Sequence, residues 1–169
     1  DLVMAAEMVK AEDVNFMAKE GRGLICAPLS GEIAERLDFH PMVLRNTEST
    51  KCNFTVSVDY LEGTSTGISA SDRAKTVLAM CDLTAVPEDF ARPGHIFPLR
   101  AREGGVLVRA GHTEAAVDLA ILAGKKPVAM LCEISREDGE MMRRDELVEF
   151  GRKHGLPVVT IKDLIEYRR

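Results

Sequence analysis

The run Pro127-Val128-Ala129-Met130-Leu131-Cys132-Glu133-Ile134 restricts the fold more than any other segment. A continuous apolar stretch of this kind belongs in the core of a sheet rather than on a half-solvated face. One carboxylate interrupts it. Burying Glu133 alone is costly, so the residue is paired, sits at an edge or does chemistry, and chemistry is the favoured reading.

Around that strand the hydrophobic period alternates between helix and strand. Strands are expected at 2–6, 24–27, 54–58, 96–99, 104–108, 127–134 and 157–161, and helices at 11–20, 32–37, 74–80, 113–123, 145–153 and 163–167. The polar residues 45–53 read as loop. Strands mixed with helices over one continuous chain imply a twisted, mixed sheet covered by helices.

Two copies of Arg-x-Gly-His carry the chemical signal: Arg92-Pro93-Gly94-His95 and Arg109-Ala110-Gly111-His112. Each joins a flexible corner to a fixed cation and to an imidazole able to bind metal or move protons. After the second copy the apolar pattern begins a helix near Thr113. Its free N–H groups, with Arg109 beside them, form an anion site, and Thr113 either caps the helix or offers its hydroxyl to the ligand. An ordinary turn with a packed histidine is the competing reading for either copy. The hydroxyl-rich stretch from Thr64 to Arg73 is a second anion cradle or a capped helix after a solvated turn.

The 169 residues carry a net charge of -5 and a pI near 5.4, which excludes a protein that grips nucleic acid through a broad basic surface. No apolar run is long enough to span a bilayer and no secretory signal opens the chain, so no membrane partner is expected and the cytoplasm is the default compartment. Cys26, Cys52, Cys81 and Cys132 lie far apart with no C-x-x-C pair, which suggests buried thiols rather than a zinc ribbon or disulfides. One domain over residues 1–169 suffices.

Taken together, Thr66 to Arg73, Arg92 to Arg100, Gly104 to Leu107, Gly111 to Ala115 and Cys132-Glu133 resemble the 3,4-dihydroxy-2-butanone 4-phosphate synthase family of riboflavin biosynthesis, over the whole chain. The resemblance implies an α+β fold, a mixed sheet covered by helices. It also implies a magnesium-dependent homodimeric lyase, with manganese as the alternative ion, that converts D-ribulose 5-phosphate to L-3,4-dihydroxy-2-butanone 4-phosphate and formate. Carried over residue by residue, His95 and Glu133 match the catalytic positions and His112 a metal ligand. Asp1, Arg109, Ala110, Gly111, His112, Thr113 and Glu133 match substrate contacts. Cys26, Thr66 and Asp72 fall at positions lining that site, although a buried thiol at Cys26 and a helix cap at Asp72 explain those two equally well.

At its start the chain departs from the family, whose acidic segment ends Glu-Gly-Asp and supplies a metal-binding carboxylate; here only the last residue, Asp1, is present. The natural protein is therefore expected to carry about thirty further N-terminal residues, including one strand. A GTP cyclohydrolase II domain after Arg169 remains open. The rival functions are another metal-dependent phosphosugar isomerase or aldolase, and a non-catalytic anion-binding module of the same fold.

Overall fold

The computed structural model describes residues 1–169. Five strands form one sheet in the order β1-β5-β2-β4-β3, with β1 Leu2–Ala5, β2 Cys26–Leu29, β3 Val58–Tyr60, β4 Phe90–Arg100 and β5 Ala129–Cys132. The sheet is mixed: β2 and β4 run parallel, and the other three pairings are antiparallel. As the apolar run demands, β5 is an interior strand, between β1 and β2, and every residue of it is buried.

Helices cover both faces. On one side lie α1 (Ala11–Phe16), α3 (Ala70–Met80) and α5 (Arg144–His154), packed over the larger core through Val14, Val77, Met80 and Phe150. On the other, α4 (His112–Leu122) presses Ala116 against Cys26, Leu99, Ala129 and Leu131, while α6 (Ile161–Arg168) closes a small cluster of Val106, Ala115 and Leu164. Successive strand residues point to opposite faces, which is why Cys132 joins the first core and Leu131 the second. The short α2 (Gly31–Arg36) follows β2, capped by Ser30.

Several elements differ from expectation, each for a local physical reason. Residues 104–108 form a 3-10 turn, Gly105–Leu107, because Gly104 and Gly105 adopt φ of 90° and 61° and the Val106 N–H donates to the buried Asp118 carboxylate at 2.9 Å. Residues 157–160 pair with no strand, and Ile161 already opens α6, whose cap is the hydroxyl of the extended Thr160. The strand expected at 54–58 is displaced to Val58–Tyr60, with Phe54 and Thr55 making only single bridges to Leu99 and Pro41. The strand expected at 24–27 begins two residues later, at Cys26.

The first Arg-x-Gly-His lies inside β4 rather than at a corner. Its glycine is required there, because a Cβ on Gly94 would stand 2.1 Å from the Val58 carbonyl carbon, at the point where the β3/β4 register shifts. Its arginine is structural. Arg92 donates to the carbonyls of Leu37, Pro87 and Phe90 and lies over the Phe39 ring, so it is spent on the fold.

Candidate active site

Glu133 directly follows β5, half-buried, and its Oε2 accepts the Leu24 N–H at 2.8 Å. The residue is thus neither free nor salt-bridged: its carboxylate holds the segment entering β2. In the sheet, Cys26 faces both Phe97 and Leu131, and His95 and Glu133 each lie two residues beyond those partners, towards the start of β2. His95 and Glu133 therefore stand at one end of the sheet and on the face that α4 covers.

His95 is held by a residue that periodicity did not single out. The Asp59 carboxylate accepts the His95 backbone N–H at 2.8 Å and faces its ring Nδ1 at 2.7 Å. A carboxylate in that position fixes the neutral ring with the proton on Nδ1 and leaves Nε2 bare for proton transfer. Asp59 is 13% exposed at its side chain and His95 42%, so the carboxylate is sheltered while the imidazole faces out. The only hint in the sequence was an acidic residue at the end of the alternating Phe54–Val58 stretch.

His112 is the first residue of α4, and its Nδ1 lies 3.6 Å from Asp1 Oδ2. Desolvation first, and then the positive charge of Arg109, hold the imidazole, still 61% exposed at its side chain, below its ordinary pKa, against the opposing pull of Glu133. That favours the neutral ring, the form that ligates metal. One carboxylate and one imidazole suit two positions around a hard divalent ion that keeps water and substrate oxygens for the rest. No third His, Cys, Asp or Glu joins them in a metal cluster.

The start of α4 differs in detail from the sequence reading. Gly111, not Thr113, is the N-cap, and no side chain caps the helix. The first intrahelical bond closes from Ala115 to Gly111, so the N–H groups of His112, Thr113 and Glu114 remain as donors for an anion. Thr113 is buried, with its Oγ1 3.6 Å from Cys52 Sγ. Arg109 is not a free cation: its Nη1 donates to buried Glu114 at 2.5 Å, and Nε and Nη2 donate to the Thr50 carbonyl at 3.1 Å. It ties the 45–53 loop to the helix start. Ala110, beside it, is exposed.

The four cysteines are free, three of them buried. Cys26 is 1% exposed, and burial first, then the charge of Glu133, pushes its thiol far above the ordinary range. This is an inert thiol under the site. The hydroxyl-rich loop has its own anion already: Asp72 accepts from Ser65 N, Ser65 Oγ and Gly67 N, while Ser69 caps α3. Thr66, in the same loop, is exposed.

The sequence matches the family model for 3,4-dihydroxy-2-butanone 4-phosphate synthase over residues 1–167. This chain belongs to that family. Among curated relatives it is 60% identical over 168 residues to the riboflavin biosynthesis protein RibBA of Bacillus subtilis (strain 168), covering 99% of this chain and 42% of that one. It is 56% identical over 167 residues to the 3,4-dihydroxy-2-butanone 4-phosphate synthase of Agrobacterium fabrum, covering 99% and 78%. A 3,4-dihydroxy-2-butanone 4-phosphate synthase solved in complex with two magnesium ions superposes with a TM-score of 0.93 at 46% identity, over 98% of this chain and 82% of that one. The α+β architecture of the family is therefore this chain's own. The chain spans 42% of the length of the RibBA relative, less than half. No helix is long and apolar enough to cross a membrane.

Proposed function

We propose that this synthase-family chain converts D-ribulose 5-phosphate to L-3,4-dihydroxy-2-butanone 4-phosphate and formate. The observation that carries the reading is the arrangement at one sheet end: the Asp59-held His95 and Glu133 lie on the face that α4 covers, and the charge of Glu133 acts on His112 at the open N-terminus of α4. Overall, the five-carbon sugar phosphate yields a four-carbon phosphate and formate with no external oxidant, so the protein's task is to move protons and hold charge.

The α4 N–H groups bind the phosphate, aided by the helix dipole. Arg109 acts there by fixing the loop and the helix start. His95 Nε2 and the Glu133 carboxylate exchange protons with the sugar carbons and hydroxyls during enolisation and loss of the first hydroxyl. Asp1 and His112 hold the divalent cation, magnesium with manganese as substitute; when bound, it supplies positive charge to the sugar oxygens. Chelation is expected to stop turnover and either ion to restore it.

The working unit is a homodimer in the cytoplasm. Support for self-association is the exposed apolar run Met42, Val43 and Leu44, the last wholly solvent-exposed, beside the loop that Arg109 tethers. Light scattering after size-exclusion chromatography reports the mass directly. For the reaction, ribulose 5-phosphate labelled with carbon-13 at C4 is expected to give labelled formate by NMR. Label retained in a five-carbon product would identify an isomerase, and binding without turnover a non-catalytic module.

A further inference from the structure

The loop between β3 and α3 closes over the carboxylate that holds His95. Asp72, 4% exposed on α3, accepts three hydrogen bonds through one oxygen, Oδ2: Ser65 N at 3.1 Å, Ser65 Oγ at 2.8 Å and Gly67 N at 3.0 Å. Those bonds draw the loop down until Gly67, at φ 85°, lies against Asp59. A Cβ on Gly67 would fall 2.0 Å from Asp59 Oδ2, so only glycine permits both the backbone conformation and the approach. The same helix also holds the strand, since Thr76 Oγ1 accepts the Tyr60 N–H at 2.9 Å. Asp59 itself sits at the register shift of β3, where the ladder alone does not fix its direction.

We propose that Asp72 and Gly67 are positioning residues for proton transfer by His95: Asp72 anchors the loop, Gly67 shields Asp59 from water, and Asp59 keeps the imidazole in one tautomer with Nε2 free. The inference rests on the proposed synthase reading for its consequence in turnover, but the tautomer can be measured without it. A misplacement of a catalytic group by about 1 Å, caused remote from the reacting atoms, typically costs about 10²-fold in rate.

The test compares Gly67→Ala, Asp72→Ala and Asp72→Asn with Asp82→Ala. Asp82 serves as the control because it only braces the turn after α3, accepting Thr84 N and Oγ1 at 2.8 Å each. Long-range proton–nitrogen NMR of the His95 ring should show a single Nδ1–H tautomer in the parent chain and in Asp82→Ala. In Gly67→Ala and Asp72→Ala it should show a mixture. The same two variants should lose about 10²-fold in kcat for formate with KM within twofold, and Asp72→Asn, which keeps an acceptor oxygen, should recover most of it. The proposal is overturned if Gly67→Ala and Asp72→Ala keep the parent tautomer, or if Asp82→Ala disturbs it equally. Should the natural full-length protein release no formate, the synthase reading fails while the tautomer comparison still decides this one.

Discussion

Replacing Glu114 by alanine tests whether the α4 start is held by a buried ion pair. The side chain is 2% exposed, and that of its partner Arg109 18%. Two bonds are lost together: Oε2 from Arg109 Nη1 at 2.5 Å and Oε1 from Arg102 N at 3.0 Å. Because Arg109 stays tied to the Thr50 carbonyl, its charge cannot swing freely into water. Removing one partner of such a pair costs about 3–5 kcal/mol, most of it from the charge left behind. For a chain of this length that lowers Tm by about 6–20 °C. Urea unfolding should show the midpoint falling at constant m, and Glu114→Gln, which retains an acceptor but not the charge, should lose less. A loss below about 1 kcal/mol for Glu114→Ala would place the pair among weak surface bridges and refute the argument.

His95→Ala and Glu133→Gln are each expected to abolish formate release, by at least 10²-fold, while circular dichroism and Tm stay near the parent values. Gly94→Ala should lower stability by about 2–4 kcal/mol in the same urea experiment, since the new methyl meets β3 backbone and not a flexible side chain. Asp72, whose carboxyl the Ser65 hydroxyl, the Ser65 N–H and the Gly67 N–H hold below the usual range, contributes stability that is present above the ordinary carboxylate pKa near 4 and is lost as pH falls through its lower folded value. The acid limb of the parent's stability curve should therefore be steeper than that of Asp72→Asn; equal slopes would remove the linkage.

Local pattern was enough for those parts of the fold whose cause lies within a few residues. The helices at α1, α2, α4, α5 and α6 follow the spacing of apolar residues, and the burial of β5 follows its composition. A helix start was legible near Thr113 because an apolar period begins there, and the structure moves its N-cap two residues back to Gly111. The same local logic misplaced β3 and read strands into 104–108 and 157–161. A short apolar stretch becomes a strand only when another strand offers it a ladder, and at Gly105 the turn is held instead by Asp118 on a different helix.

The charges at the site show the division most clearly. Arg92 and Arg109 are the same residue type in the same motif, and neither letter says that one is consumed by three carbonyls and the other by Glu114 and Thr50. By itself the sequence determined the family, the mixed sheet with its buried centre, and the histidines and carboxylates available for chemistry, because those depend on residue identity and short periods. Only the tertiary structure decided that Asp59, 36 positions before His95, is its partner, and that Asp72 reaches Asp59 through the backbone of Gly67. Hydrogen bonds and charges act over a few ångströms of space, and strand register and helix packing, rather than separation along the chain, set which groups come within that range.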